Sequence, residues 1–419
     1  MLTTKKLAEV LEAFQIGTAE LKNIAAALRY DIEARLRGAE GSTLAMLPSY
    51  AGRPTGKEQG RFLALDFGGT NVRAECIRLS GDGRFAVEKH AARPLVLPGE
   101  YDYTKGVDAE QLFDFLAALV AEALPALAAG EEIRLGHTFS FPSTQTELGR
   151  ARLNFWTKEF NVAGVVGEDV NGLLEAALKR RGLGAVRPVA VINDTTAVLL
   201  AASLGYGGSV SIGSIYATGH NTCSLERFED ARPPMIYNLE SGGFGKLAPN
   251  RFDVALDKKS EQPGEQRLEK MVAGKYLGEL FALAWAEAAG SAPTRAVSTA
   301  DMARLAGGDA ALAAELCGTA NEKAEDISEA MGKLAEAILC RSARLVAASY
   351  VGILWHQAGN APLLPQYIAI DGSLYQHVPI VREALNRALS EMLGPEAGKI
   401  TPVHCGGGSC LGAAVAAAL

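Results

Sequence analysis

Glycines and small polar side chains stand together where one apolar run of the chain ends in an acid. Residues 62–65 are apolar and Asp66 follows them. The next positions are small or polar: Gly68, Gly69, Thr70 and Asn71. Glycines let a turn approach an anion closely, and its exposed N–H groups can cradle phosphate oxygens. Asp66 would hold Mg²⁺ through water. The turn is neither a P-loop nor a Gly-x-Gly-x-x-Gly fingerprint, and this motif alone leaves an ordinary hairpin open as the alternative.

The elements that would position this turn recur along the chain. Residues 189–194 are a second apolar run that ends in Asn-Asp, and a helix-like run follows it. Residues 211–226 repeat the pattern of strand, small-residue turn and strand, and residues 367–373 form another strand that ends in Asp-Gly-Ser. A glycine-rich turn at 405–412 precedes an alanine-rich helix. The repetition predicts a duplicated fold with a nucleotide between its halves, as in the superfamily of actin, Hsp70 and the sugar kinases.

The ordered motifs resemble the hexokinases of the eukaryotic type, nearly from end to end. The most specific blocks are Phe-Ser-Phe-Pro at 139–142 and Trp-Thr-Lys at 156–158. Further blocks lie at 46–49, 62–71, 167–170, 193–195, 238–240, 263–270 and 274–279. The resemblance implies the two-domain, actin-like (ribonuclease H-like) α/β fold of sugar kinases with an interdomain cleft. Its small domain would span 58–195 and be completed by the C-terminal helix, about 407–419. Its large domain would comprise 1–57 and 196–406.

The resemblance also implies the reaction: an ATP-dependent hexokinase that phosphorylates the 6-hydroxyl of a D-hexose, with glucose as the expected substrate. Phosphoryl transfer requires positioning, charge neutralisation and a base for the attacking hydroxyl. In the hexokinase pattern that base is Asp194. The alternative is that Asp194 only caps the following helix, with Thr195 or Thr196 as rival caps. Lys158 would offset charge on the transferred group or anchor sugar hydroxyls, and its alternative is a solvated surface lysine.

The resemblance supplies two sets of binding residues. Hydroxyls left unpaired in a closed site are costly, so many hydrogen-bonding groups are expected around the hexose. They are Ser140, Thr157, Lys158, Asn193, Asp194, Asn221, Glu240, Gln266 and Glu269. The nucleotide, with its Mg²⁺ on Asp66, would contact Asp66, Gly68, Gly69, Thr70, Asn71, Arg73, Thr218, Gly219, Lys275, Gly372 and Ser409. A helix led by Pro263 would place Glu265 and Glu269 one turn apart, so either could be a solvated side chain, and the family's pattern selects Glu269.

The chain departs from the hexokinase pattern in three places. After Glu240 the family usually has Trp-Gly-Ala-Phe-Gly-Asp, whereas Ser241 and Lys246 stand at the first and last of these positions here. This change removes an aromatic wall and adds a cation, which would alter the hexose fit or the closure of the loop. Ala217 replaces a glycine, and Cys-Leu at 410–411 replaces the usual Gly-Lys. These departures leave two other hypotheses open: a kinase of another hexose or amino sugar, and a sugar or nucleotide sensor with little turnover.

Composition indicates the broad class of the protein. The chain has 419 residues, of which 48% are hydrophobic and 21% charged, as expected for a soluble globular protein of two domains. Its net charge of −7 gives no electrostatic footprint for nucleic acid or an anionic membrane. Its cysteines lack the paired spacing of a disulfide framework, and its histidines lack metal-binding spacing. We expect a cytoplasmic enzyme, monomeric or homodimeric, whose partners are a hexose and ATP.

Overall fold

The computed structural model describes residues 3–157, 160–228, 230, 232–318 and 324–419. Its strands are β1 (Leu47–Pro48), β2 (Gln59–Phe67), β3 (Asn71–Ser80), β4 (Phe85–Pro94), β5 (Val96–Leu97), β6 (Tyr101–Asp102), β7 (Lys105–Asp108), β8 (Ile133–Phe139), β9 (Ser143–Glu147), β10 (Arg150–Leu153), β11 (Asn161–Ala163), β12 (Val186–Ile192), β13 (Val210–Tyr216), β14 (His220–Glu226), β15 (Met235–Asn238), β16 (Gln366–Asp371) and β17 (Ile400–His404). Its helices are α1 (Thr4–Glu12), α2 (Thr18–Leu36), α3 (Ala109–Ala123), α4 (Val170–Arg180), α5 (Asp194–Tyr206), α6 (Arg251–Lys259), α7 (Arg267–Val272), α8 (Gly274–Ala289), α9 (Thr299–Ala306), α10 (Ala310–Cys317), α11 (Ala324–Ala358), α12 (Ser373–His377), α13 (Pro379–Leu393) and α14 (Gly408–Ala418). Short 3₁₀ turns lie at Gly207–Ser209, Ser241–Gly243 and Gly394–Lys399.

Two mixed β-sheets share one topology. The strand order is β4-β3-β2-β8-β12 in the first sheet and β1-β15-β14-β13-β16-β17 in the second. Each sheet contains an antiparallel hairpin, β2–β3 or β13–β14, whose first strand also pairs in parallel with β8 or β16. The next strand outward, β12 or β17, is again parallel. The duplicated α/β organisation predicted from the repeated strand-turn-strand pattern is therefore confirmed.

Strand β2 is buried on both faces, and this burial directs Asp66 to the centre of the molecule. Leu63 and Leu65 join the core formed with α3 and α4, whereas Phe62 and Ala64 join a core that contains α5 and α14. Because side chains alternate along a strand, Asp66 shares the face of Phe62 and Ala64. The acid at the end of β2 therefore lies on the side of the first sheet that faces α14.

Helices α5 and α14 lie between the two sheets and share a core with strands of both. Glycines bring their backbones into contact. A Cβ at Gly412 would lie 2.1 Å from the carbonyl oxygen of Ala197, and a Cβ at Gly136 would lie 1.9 Å from that of Ala413. Gly213 holds the equivalent place between β13 and α5. The helix pair is thereby packed against one strand of each sheet. The domain limits given above stay a prediction.

Helix α11 is 35 residues long and is packed by α2, α8, α9, α10 and α13. Met331, Leu334 and Ile338, which recur along it at helical spacing, are fully buried. Length and composition alone would allow Glu325–Ala358 to cross a membrane, but 83% of its apolar window is buried inside the protein. It therefore has the burial of a core helix.

The helix expected to start at Pro263 begins instead at Arg267, and that prediction is wrong. Gln266, immediately before the helix, has a left-handed backbone with φ of +51°. Glu265 therefore precedes the helix, and it does not share a helical face with Glu269.

Candidate active site

Asp194 is the first residue of α5, and the cap of that helix is its neighbour Asn193. The Asn193 Oδ1 accepts the Thr195 N–H at 2.9 Å and the Thr195 hydroxyl at 2.8 Å. Asp194 Oδ1 also accepts the Thr195 N–H, at 2.8 Å. Because Asn193 supplies the cap, the helix does not depend on Asp194 for it. The alternative in which Asp194 merely caps α5, with Thr195 or Thr196 as rivals, is therefore wrong.

Three of the predicted carboxylates interact electrostatically. Burial raises the pKa of Glu240, and the charges of Asp194 and Glu269 raise it further, against the hydrogen bond from Asn238. Charges shift one another's pKa in this way when they lie within a few ångströms. Asn193 and Glu240 line one cleft, together with Leu47, Ser49, Phe139, Phe141, Pro142, Ser143, Gln145, Ala151, Val191, Ile192, Thr196 and Asn238.

A chain of amides holds Glu240. The Asn221 Nδ2 donates to Asn238 Oδ1 at 3.0 Å, and the Asn238 Nδ2 donates to Glu240 Oε1 at 2.7 Å. The Asn221 Oδ1 in turn accepts the Ser241 N–H at 3.1 Å. Asn238 is absent from the predicted site residues, although its position two residues before Glu240 was a signal in the sequence. It links two of the predicted hexose-binding side chains.

Two of the four left-handed non-glycine residues in the described part of the chain lie beside these carboxylates. Glu240 and Gln266 both have left-handed backbones, with φ of +53° and +51°. Such a conformation costs a non-glycine residue roughly 1–3 kcal/mol and often marks a functional site. Gly242 lets the segment after Glu240 approach both Gln266 and β14 closely. A Cβ at Gly242 would lie 2.7 Å from Gln266 Oε1 and 2.9 Å from the carbonyl oxygen of His220. The loop after Glu240 is thus wedged against α7 and β14.

Glu269, a predicted hexose-binding residue, contacts the second turn, which we define as residues 217–219. Its Oε2 accepts the His220 N–H at 3.0 Å and would lie 3.2 Å from a Cβ on Gly219. The Ala217 and Thr218 carbonyls accept the N–H groups of residues 274 and 275, at 2.8 and 3.0 Å. The start of α8 is therefore bound to this turn.

Gly372 packs tightly against the same turn. It has φ of +136°, and a Cβ there would lie 2.3 Å from the carbonyl oxygen of Tyr216. Only glycine fits this approach. The Lys275 ammonium lies 3.9 Å from Glu261 Oε1 and near the Tyr276 ring. Its side chain is thus directed toward Glu261, while its backbone holds the second turn.

The first turn, residues 68–70, follows the buried acid of β2. Arg73 Nη2 donates to Asp66 Oδ2 at 2.8 Å. Burial raises the pKa of Asp66 to about 6, Arg73 opposes that rise, and the charge of Asp194 adds to it. Gly68 and Gly69 are partly exposed, and Thr70 and Asn71 are exposed. The turn therefore opens to solvent beside an excess of negative charge.

The remaining predicted residues lie around the first sheet. The Ser409 carbonyl accepts the Thr138 hydroxyl at 3.0 Å, so Ser409 lies beside β8 and the first turn. The Ser140 N–H lies 3.5 Å from the Phe67 carbonyl. Thr157 adjoins an aromatic cluster of Phe67, Phe139, Phe141, Trp156 and Phe160. This cluster packs the loop that carries Thr157 against the base of the first turn. Lys158 lies outside the described residues.

Asp371 is a candidate that the predicted set omitted. Asp371 is the last residue of β16. Burial and the charge of Asp194 raise its pKa, whereas the charges of His404 and Arg73 lower it. The signal was present in the sequence, because Asp371 ends an apolar strand as Asp66 does. Asp66, Asp194 and Asp371 therefore interact electrostatically where the sequence predicts the nucleotide.

The departures from the hexokinase pattern have distinct environments. Ser241 is fully buried. Lys246 forms an ion pair with Asp31 of α2, which favours the expectation that it affects the loop. Cys410 is buried, and burial together with the charge of Asp66 raises the pKa of its thiol. All six cysteines are free, as the absence of paired spacing predicted.

The two matching sheets, the paired turns and the helices between them define the actin-like sugar-kinase fold with two domains. A ROK hexokinase from Thermus thermophilus has the same fold, with a TM-score of 0.51 at 20% identity over 85% of this chain and 97% of that one. Hexokinase family models match residues 6–204 and 211–419. The chain belongs to the hexokinase family and is a phosphotransferase that phosphorylates a hexose.

Close relatives agree in sequence and structure. Hexokinase-7 of Oryza sativa subsp. japonica is 34% identical, covering 98% of this chain and 96% of the relative. Hexokinase-1 of Nicotiana tabacum is also 34% identical, with coverage of 96% and 88%. A hexokinase crystal structure has a TM-score of 0.88 at 32% identity, and hexokinase from Schistosoma mansoni complexed with glucose has 0.81 at 29%. Each covers 99% of this chain and 98% of its own.

Proposed function

We propose that the chain transfers the γ-phosphoryl group of ATP to the 6-hydroxyl of a D-hexose, with glucose as the preferred substrate. One observation carries the proposal: the charge of Asp194 raises the pKa of Glu240 on one side and of Asp66 and Asp371 on the other. Asp194 therefore lies between the expected sugar side and the expected phosphate side. A base that receives a proton as phosphate arrives must occupy such a position.

The sugar side suits a neutral polyol. Glu240 and Glu269 offer carboxylate oxygens, and the amides of Asn193 and Asn221 add donors and acceptors. Such groups discriminate strongly against ligands that leave them unpaired. Glucose is proposed because the Schistosoma mansoni relative was crystallised as its glucose complex. Ser241 leaves another hexose or an amino sugar as the second candidate substrate.

The phosphate side suits a nucleotide held between two turns. Glycines at 68 and 69 would let the first turn approach the phosphates, and Gly372 lets β16 approach the second turn. Hexokinases take ATP as donor, generally with Mg²⁺. In the part of the chain that the structure describes, no three His, Cys, Asp or Glu side chains are placed to hold a metal ion directly. The negative charge around Asp66 fits a divalent cation that keeps its waters, and Mg²⁺ there would neutralise phosphate charge.

In this proposed step Asp194 is the general base. The carboxylate takes the proton of the 6-hydroxyl, and the hydroxyl oxygen bonds to the γ-phosphorus. The bond from that phosphorus to the β–γ bridging oxygen breaks, and ADP leaves with the electron pair. Closure of the cleft over the sugar would exclude water and so suppress ATP hydrolysis. We further propose that the enzyme is cytoplasmic and is a monomer or a homodimer. Analytical sedimentation would distinguish the monomer from the homodimer.

The test is hexose-dependent ADP release with Mg-ATP across glucose, mannose, fructose, galactose, glucosamine and N-acetylglucosamine. The proposal expects the highest kcat/KM with glucose. Turnover confined to another sugar would transfer preference to that sugar and implicate the loop at Ser241. Binding of a sugar without turnover on any of them would favour a sensor and would contradict the proposal.

A further inference from the structure

Lys246 is joined to a buried acid on a distant helix. The Asp31 side chain is fully buried, and its Oδ1 forms an ion pair with the Lys246 ammonium. Its Oδ2 accepts the Thr43 N–H at 2.9 Å and the Thr43 hydroxyl at 2.6 Å. The ammonium also lies 4.6 Å from the centre of the Tyr30 ring, within the range of a cation–π interaction. One basic residue thus links α2 to the segment that follows Glu240, here named loop 240–246.

Neighbouring contacts fix the backbone of the same loop. The Gly245 N–H donates to the Thr43 hydroxyl oxygen at 3.0 Å, and the Gly245 carbonyl accepts Arg267 Nη1 at 2.7 Å. Phe244 is fully buried. The far end of loop 240–246 is therefore anchored at successive residues. Its near end carries Glu240, which interacts with Asp194 and Glu269.

The ion pair is unequal, because its two members differ in access to water. The Lys246 side chain is 33% exposed, whereas the Asp31 side chain is 0% exposed. A buried charge that loses its partner is strongly unfavourable, whereas a partly exposed ammonium can be hydrated. Removal of Lys246 should therefore disturb the loop more than removal of the Asp31 charge.

We propose that the Asp31–Lys246 pair positions the sugar side of the site, by holding loop 240–246 so that Glu240 stays beside Asp194 and Glu269. Lys246 is then a positioning residue that acts through Glu240. The inference rests on the proposed function, since it assigns Glu240 to the hexose. The inference predicts that loss of the ion pair weakens hexose binding and leaves nucleotide binding unchanged.

The test compares Lys246→Met, Lys246→Arg, Asp31→Asn and the double variant Asp31→Asn/Lys246→Met with the parent. Glucose Kd by calorimetry, KM for glucose and for ATP, kcat and Tm are measured for each. Lys399→Met is the matched control, because Lys399 is 37% exposed and pairs with Glu396 at 3.1 Å away from this loop.

Lys246→Met should weaken glucose binding by about 10-fold, since displacements of about 1 Å can have effects of that order or larger. Its KM for ATP should stay within about 2-fold of the parent, because the second turn keeps its own contacts. Lys246→Arg should restore glucose binding. The double variant should bind glucose more tightly than Lys246→Met, because it leaves no unpaired buried charge.

Glucose binding by Lys246→Met equal to that of Lys399→Met would overturn the inference. So would equal losses for glucose and ATP. If Lys246→Met does not fold, Asp31→Asn and Lys246→Arg decide. Weaker glucose binding by Asp31→Asn together with parental glucose binding by Lys246→Arg would support the inference. The same glucose Kd for both variants would contradict it. If the parent binds glucose but turns over no hexose, the proposed function fails, while the binding series still tests the positioning role.

Discussion

Five strands of the two sheets have the same order and directions, yet the first strands of their hairpins end in different residues. In the first sheet Asp66 is the penultimate residue of β2, burial raises its pKa to about 6, and Arg73 pairs with it. In the second sheet β13 ends at Tyr216, which is fully buried and whose hydroxyl lies 2.6 Å from the Ser342 hydroxyl oxygen. The shared topology places a turn at each site, and the residue at the strand end decides whether that turn is acidic or neutral.

The helices that follow the sheets differ in the same way. Helix α5 begins at Asp194, whereas α14 begins at Gly408 after the left-handed Gly407 and has no acid in its first turn. An acid at the start of a helix is favoured by the helix dipole. Helix α5, which follows the first sheet, thus supplies the expected base. Helix α14, which follows the second sheet, supplies close backbone packing. The following predictions test that division, from the largest expected effect to the smallest.

Gly136→Ala should disrupt the packing of α14 against β8. Its new Cβ would lie 1.9 Å from the carbonyl oxygen of Ala413, so a backbone must move. We expect a loss of about 3 kcal/mol or more, at or above the upper end for overpacking. Gly184→Ala is the control, because nothing lies within 4 Å of its Cβ. Equal unfolding midpoints for the two variants in urea would contradict this account of the packing between α14 and β8.

Gly372→Ala should act on the nucleotide half alone. The added methyl group would lie 2.3 Å from the carbonyl oxygen of Tyr216 and displace the second turn. KM for ATP should rise by about 10-fold or more, because small displacements of a binding turn are amplified. Glucose Kd, measured without nucleotide, should change little. Losses of the same size for both ligands would show that the two sides are not separable in this way.

Glu240→Gln should change how stability depends on pH. Because burial raises the folded-state pKa of Glu240, its contribution to stability is present below its ordinary value of 4.5 and is lost as pH rises. The variant does not titrate there. Its Tm should match the parent near pH 4 and exceed it increasingly above 4.5, by about 1 °C per kcal/mol for a chain of 419 residues.

The control for that comparison is Glu329→Gln. Glu329 is an exposed residue whose pKa is lowered by its hydrogen bond from Lys333. Its variant should show no such gain at higher pH. A parental pH profile for Glu240→Gln would mean that the cleft does not disfavour the ionised carboxylate.

Much of the fold could be predicted because local patterns specify it. Asp66 and Asp371 each end an apolar run, and β2 and β16 were predicted from those runs. Asn193 and Asp194 stand between a buried strand and an apolar helix, so the start of α5 was also predictable. These elements need only neighbours in sequence to be recognised.

The parts that could not be predicted depend on distant partners. Lys246 carries no sequence signal for Asp31, and Gly136 carries none for Ala413, because folding alone brings each pair together. The close approach of the Gln266 side chain to Gly242 likewise carries no local signal, and neither does the left-handed backbone of Gln266. Tertiary contacts of this kind override local preference.

The most direct test of the central claim, that Asp194 is the base between the two sides, is Asp194→Asn. Glucose Kd and single-turnover phosphoryl transfer are measured beside the parent. Asn193 keeps the helix cap, so the fold should persist. The account predicts transfer slower by about 10³-fold, within the range of a lost general base, and a glucose Kd within about 10-fold of the parent. Transfer within about 10-fold of the parental rate would contradict it.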